Sequence, residues 1–258
     1  MSMICVTGAA SGLGQALTAR LRADGHRAVT VDLHSVEIAA DLSSPGGRAA
    51  AIAGVLDRCD GRLDGLVPCA GLGPQHPPDR IVAINYFGAA AMLDGLTEAL
   101  AAAGSDDERS AAVMICSNST TLTPGAHGSL AQACVDGDEP AALALAADTH
   151  PAVAYAASKV GIGRLVRHRS ATLGGRGIRI NAVAPGPFLT PLLQEGLDDP
   201  ATSDAIKNLP IPLGRMGEPD DIVEVVTWLL SHSARYVHGA TLFADGGIDS
   251  SLFPDRFP

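Results

Sequence analysis

Met3-Ile4-Cys5-Val6-Thr7-Gly8-Ala9-Ala10-Ser11-Gly12-Leu13-Gly14 is the stretch on which the rest of the chain depends. Its first five residues make a short apolar run of strand length, and the residues from about Gly12 to Asp24-Gly25 read as a helix. Glycines at such a turn let the backbone approach a pyrophosphate, whose charge is met by amide groups at the helix N-terminus. The chain holds 29 glycines, so a cluster alone says little; a cluster between a strand and a helix is informative. Gly8, Ser11, Gly12, Leu13 and Gly14 are therefore candidate nucleotide contacts. A second strand, Ala28-Val29-Thr30-Val31, ends at Asp32. An acidic side chain there can accept from both hydroxyls of an adenosine ribose and would repel a 2′-phosphate. Neither Leu33 nor His34 supplies the arginine such a phosphate would want, so the pattern favours NAD over NADP. The short run Ile38-Ala39-Ala40 leads into Asp41-Leu42, well placed for the adenine edge.

Composition bounds the partners. At 258 residues, 47% hydrophobic and 18% charged, the chain has apolar material for one large core and no mark of disorder. A net charge of −10 argues against nucleic acid or an anionic membrane as the main partner. No apolar run reaches membrane-span length, and the N-terminus enters a strand without a signal-peptide pattern, so a cytoplasmic protein is expected. The five cysteines (5, 59, 69, 116 and 134) lack paired-ligand spacing, which argues against a structural zinc site and for small buried hydrophobes in a reducing compartment.

Strands alternate with helices along the rest of the chain, as a doubly wound, mostly parallel sheet in a single domain requires. Gly65-Leu66-Val67 opens into Cys69-Ala70-Gly71, a small-residue turn able to pass under a cofactor. A helix is expected from about Asp79 to Ala103, with Asn85 set among Ile81, Ile84 and Phe87. A charged loop at residues 104–109 precedes the strand Ala112–Cys116, which ends at Ser117-Asn118-Ser119. Residues 120–151 carry turn signals and the helix-like Ala141–Ala147, and read as an inserted helical excursion outside the core. A further strand, Ile178–Val183, meets Pro185-Gly186-Pro187, and residues 188–216, rich in Leu, Ile and Pro, read as a mobile apolar cover over a pocket.

Between them lies Tyr155-Ala156-Ala157-Ser158-Lys159. In a helix, residues four apart share a face, which brings the Lys159 ammonium beside the Tyr155 phenol. A free phenol titrates at about 10, and a nearby fixed positive charge lowers it. Of 18 basic residues only Lys159 and Lys207 are lysines, and one of them follows one of three tyrosines by a single turn. Spacing alone leaves a solvated helix face with a chance pairing open.

Taken together, Thr7-Gly8, Gly12-Leu13-Gly14, Asn85, Ser117 and Tyr155-x-x-x-Lys159 resemble the short-chain dehydrogenase/reductase family over the whole chain and in its order. Local runs such as Asn85-Tyr86-Phe87-Gly88-Ala89 and Thr190-Pro191-Leu192-Leu193-Gln194 resemble a bacterial hydroxysteroid dehydrogenase/carbonyl reductase subgroup, which also has a long insertion between its serine and tyrosine. The resemblance implies a Rossmann-like fold and an NAD site at Gly8, Gly12, Gly14, Asp32, Asp41, Leu42, Ala70, Gly71, Pro185, Gly186, Thr190 and Lys159. It implies that Tyr155 exchanges the proton, Ser117 polarises the substrate oxygen, Lys159 holds the nicotinamide ribose and lowers the tyrosine pKa, and Asn85 positions a water. The usual Asn-Asn-Ala-Gly turn is Pro68-Cys69-Ala70-Gly71 here, and the serine strand ends Cys116-Ser117 rather than in two serines.

The expected activity is NAD-dependent interconversion of a secondary alcohol and a carbonyl on a small hydrophobic substrate, such as a hydroxysteroid or a xenobiotic carbonyl. Aryl or coniferyl-type alcohols are the rival substrates, and a non-catalytic NAD-binding regulator is the rival class. A homodimer through Pro219–Phe243 is expected, because the insertion lies where it could cover the helices that usually pair.

Overall fold

A computed structural model describes residues 1–104 and 109–256; residues 105–108, most of the charged loop read from the sequence, lie outside them. Seven strands form one sheet: β1 (Met3–Thr7), β2 (Arg27–Asp32), β3 (Ile38–Ala39), β4 (Gly65–Pro68), β5 (Ser110–Ile115), β6 (Ile178–Pro185) and β7 (Thr241–Ala244). Their order is β3-β2-β1-β4-β5-β6-β7, and every pairing is parallel. The order reverses between β1 and β4, where an open parallel sheet leaves a crevice at its carboxyl ends.

Side-chain alternation along the strands feeds two cores. On one face Ile4, Val6, Val67, Val113 and Val183 pack with Leu13, Leu17 and Leu21 of α1 (Gly12–Ala23) and with Ile222, Val226 and Leu229 near the C-terminus. The intervening Cys5, Leu66, Met114, Ile180 and Ala182 face the other way. There they meet α2 (Pro45–Cys59), a long helical stretch, and the helix that carries Tyr155. The helical stretch comprises α3 (Pro78–Val82), a wide π-turn at Ala83–Gly88 and α4 (Ala89–Ala103). The predicted single helix over this region is thus interrupted at Asn85, as helices often are beside functional sites.

Residues 120–151 correct the sequence reading. They are helical, in α5 (Ser119–Leu122), α6 (Ser129–Asp136) and α7 (Glu139–Ala147), but they are core rather than an excursion. Ala126, Ala131, Cys134, Ala142 and Ala146 are fully buried in the larger hydrophobic cluster against α8 (Pro151–Gly174). A bidentate pair anchors the segment: the Arg48 guanidinium donates to both Glu139 carboxylate oxygens at 2.7 and 2.6 Å. Arg48 also donates to the carbonyls of Leu42, Ser43 and Ala83, joining insertion, α2 and π-turn in one network. Turn residues marked the segment's ends, while its small alanines concealed how tightly it packs.

Beyond β6 the cover is itself helical, with α9 (Pro191–Asp198) and α10 (Ser203–Lys207). A bridge between Phe188 and Gly217 closes its base, and His76 and Glu195 pair across it at 3.2 Å. The chain ends with α11 (Pro219–Leu230), β7 and α12 (Ile248–Leu252). Among the described residues no helix is long and apolar enough to cross a membrane, and no cluster of potential metal ligands occurs.

Candidate active site

The strands β1, β4, β5 and β6 end around one cavity of about 430 Å³. The turn after β1 forms its floor with Gly8, Ser11, Gly12, Leu13 and Gly14. Gly8 has φ +67°, and a Cβ on it would lie 2.6 Å from the Ala70 nitrogen, so only glycine lets the turns after β1 and β4 touch. Gly12 has φ +51°, and a Cβ on it would meet Thr190 in ordinary van der Waals contact at 3.6 Å, so its left-handed backbone rather than crowding favours glycine. Ser11 makes no side-chain cap and no acidic residue occupies the first turn of α1, which leaves the N–H groups and positive end of this helix for an anion. These features fit a pyrophosphate.

Two carboxylates mark one end of the cavity. Asp32 accepts from the backbone N–H of Ala10 at 2.9 Å and of Leu33 at 2.6 Å, which fixes it between β2 and the glycine turn. Asp41 accepts from the Ser43 N–H at 2.9 Å, and hydrogen bonding to Ser43 holds its carboxyl below the ordinary range. Leu42 lines the wall beside it. Lys159 is the sole cation on the wall of this cavity among the described residues, and it lies with the catalytic group rather than near Asp32.

Ser117, Tyr155, Lys159 and Asn85 gather where β5 ends against α8. Ser117 is buried, and its Oγ accepts from the Ser119 N–H at 3.1 Å. Lys159 donates to the carbonyl of Ile115 at 3.0 Å, with its ammonium 5.9 Å from the Tyr155 ring centre. From the sequence, Lys159 together with an oxidised nicotinamide ring was expected to lower the tyrosine pKa. In the protein alone burial raises the phenol above its ordinary value, with the neighbouring Ser117 opposing the shift. Burial also pushes the pKa of the Lys159 ammonium down from its ordinary value.

Asn85 is tied to the loop after β4. Its side chain is buried and occupied by the backbone of Leu72: the Leu72 N–H donates to Oδ1 at 2.8 Å, and Nδ2 donates to the Leu72 carbonyl at 3.0 Å. It thereby shapes the loop after β4, which carries Ala70 and Gly71 on the cavity wall. Pro185, Gly186 and Thr190 line the opposite side. Thr190 caps α9 by accepting from the Leu193 N–H at 3.2 Å.

Sequence reasoning missed several wall residues. Leu192, Leu193, Ile206 and Leu209 reach the cavity from the cover, whose apolar character was visible though its individual contacts were not. Leu72, Phe188 and Asn118 also line it; their segments were marked in the sequence, but no role was read for them.

Residues 2–130 match the family described as short chain dehydrogenase, and residues 142–249 match that described as enoyl-(acyl carrier protein) reductase. The chain is 41% identical over the full length of both proteins to a 3-alpha-hydroxysteroid dehydrogenase/carbonyl reductase of Comamonas testosteroni. It is 33% identical to a cis-4-hydroxycyclohexanecarboxylate dehydrogenase of Sinomonas cyclohexanicum, over 94% of each chain. The crystal structure of a 3-alpha-hydroxysteroid dehydrogenase from Pseudomonas sp. B-0831, complexed with NADH, superimposes with a TM-score of 0.94 at 42% identity, covering 99% of this chain and 100% of that one. Profile, full-length identity and backbone agree: this chain belongs to the short-chain dehydrogenase/reductase family.

Proposed function

We propose that the protein is an NAD-dependent oxidoreductase interconverting a secondary alcohol and a carbonyl on a small, largely apolar substrate, with a 3α-hydroxysteroid/3-ketosteroid as the leading candidate. The observation that carries this reading is the convergence of Ser117, Tyr155 and Lys159 with the glycine turn on one cavity. The preference for NAD is supported by Asp32 and by the absence of arginine from the described cavity wall. The steroid reading is supported by the full-length similarity to the Comamonas enzyme and by the apolar Leu192, Leu193, Ile206 and Leu209 opposite the catalytic group.

The nicotinamide, when bound, accepts or returns a hydride at its ring. The protein's own residues handle the proton. In oxidation the Tyr155 phenolate removes the alcohol proton; in reduction the neutral phenol gives one to the developing alkoxide. Ser117 hydrogen-bonds the same oxygen as its charge changes. Asn85 holds the loop bearing Ala70 and Gly71 against the cofactor region, and the cover keeps water from the reacting carbon.

Tyr155→Phe tests the assignment. NAD binding by calorimetry stays within about twofold, while androsterone oxidation followed by NADH absorbance falls by about 10²–10⁴. Near-normal turnover in the variant would remove Tyr155 from the mechanism. Faster turnover of an aryl alcohol than of androsterone by the native enzyme would move the substrate class and keep the chemistry.

A further inference from the structure

The cover over the cavity consists of two short helices that satisfy themselves. Thr190 caps α9 by accepting from Leu193, and Pro191 opens its first turn, so the helix needs no partner to begin. Within the cover Thr202 donates to the Gly196 carbonyl and Ser203 to that of Leu197, which binds α10 to α9. Among the described residues, the hydrogen bonds of α9 and α10 stay within residues 190–210 with one exception. That exception is His76 with Glu195, whose Nε2 and Oε2 atoms meet at 3.2 Å. The rest of the cover's hold on the body is apolar contact.

His76 belongs to the loop after β4, which the paired bonds between Asn85 and Leu72 make a fixed wall. The helix comes down on that wall closely. A Cβ on Gly73 would lie 3.3 Å from Cγ of Leu192, and one on Gly196 would lie 3.4 Å from Nε2 of Gln75. Leu72 from the loop and Leu192 and Leu193 from α9 then face one cavity. The start of α9 also lies over the glycine turn, since a Cβ on Gly12 would meet Thr190 at 3.6 Å and Pro191 at 3.9 Å. A single polar tie therefore joins the fixed wall to a helix that borders both the substrate end and the cofactor turn. The two side chains are 37% and 49% exposed, so the tie is a weak one that breaks readily.

We propose that His76 and Glu195 form a clasp: acting through α9, these positioning residues hold Leu192 and Leu193 closed over the cavity and set how fast cofactor and product leave. A lid fastened by one exposed pair closes firmly enough to exclude water and opens without unfolding anything. The substrate part of this assignment rests on the dehydrogenase reading above; the release of NADH does not depend on turnover.

The test measures NADH release by stopped-flow fluorescence, and androsterone oxidation, in the native enzyme and in His76→Ala, Glu195→Ala and the double variant. Each single change speeds NADH release about two- to fivefold, the range open to one exposed pair, and raises KM for androsterone by a similar factor with kcat kept or increased. The double variant matches the single ones, because either change breaks the same tie. His76→Gln, whose amide can still donate to Glu195, restores most of the native release rate. Native release rates in both single variants, effects that add in the double variant, or a lower kcat at unchanged KM overturn the clasp and leave the dehydrogenase reading intact. Absence of alcohol-dependent NAD reduction by the native enzyme overturns that reading instead, and NADH release still decides the clasp.

Discussion

The Lys159 ammonium stands 5.9 Å from the centre of the Tyr155 ring and hydrogen-bonds to the Ile115 carbonyl. This carbonyl, at the end of β5, fixes the lysine between strand and helix, where burial lowers its pKa from the ordinary value. Burial raises the Tyr155 phenol above its ordinary value, and the neighbouring Ser117 opposes that shift. In the proposed reaction Ser117 therefore acts twice, through the substrate oxygen and through the phenol.

That dependence gives a pH signature. Oxidation requires the phenolate, so its rate rises with pH through the tyrosine pKa; reduction requires the phenol and declines through the same range. Removing the Ser117 hydroxyl removes a lowering influence, so Ser117→Ala moves the oxidation limb to higher pH. The maximal rate falls by about 10²–10³, the usual loss for one donor to a developing oxyanion. A pH–rate profile at saturating NAD reads both effects, and an unshifted limb would separate Ser117 from the tyrosine.

The role proposed for Asp32, choosing NAD over NADP, is tested by substitution. Asp32→Ser combined with Leu33→Arg removes a carboxylate that would repel a 2′-phosphate and adds a cation to meet it. The ratio of kcat/KM for NADP over NAD is expected to rise by about tenfold or more. Asp32 also ties Ala10 of the glycine turn to β2, so the single change Asp32→Ser weakens NAD binding without gaining NADP. Cofactor titrations on the two variants give the comparison.

The Arg48–Glu139 pair predicts a stability effect without a catalytic one. Glu139 is on the insertion and Arg48 is buried, so Glu139→Ala leaves a guanidinium held by carbonyls alone. A loss of about 1–3 kcal/mol in urea unfolding is expected. Turnover per folded molecule changes little, since neither residue lines the catalytic cavity. A neutral substitution would mean that the apolar contacts of α6 and α7 hold the insertion unaided.

Assembly through the C-terminal region is a proposal supported by surface chemistry. Trp228 on α11 is 42% exposed, Phe243 on β7 is 41% exposed, and β7 ends the sheet with one neighbour, β6. The insertion meanwhile covers part of α8. A homodimer by light scattering, converted to monomer by Trp228→Glu, is the expected result; a dimer that survives the change places the interface elsewhere.

The glycine turn, Asp32 and the Tyr155/Lys159 spacing were legible in the chain itself because each depends on a local rule: backbone freedom at glycine, an acid at a strand end, two residues one helical turn apart. Alternating apolar segments likewise announced a parallel sheet, because a strand buried on both faces is apolar throughout. Partners distant in sequence were decided only by the fold. Lys159 meets Ile115, Asn85 meets Leu72, and Arg48 meets Glu139 because strand order brings them together. The insertion joined the core for the same reason: its alanines carry little hydrophobic signal one by one, and only packing against α8 shows their burial. Sequence determined which groups could do the chemistry; tertiary structure decided their neighbours, and with those neighbours the electrostatics of Tyr155.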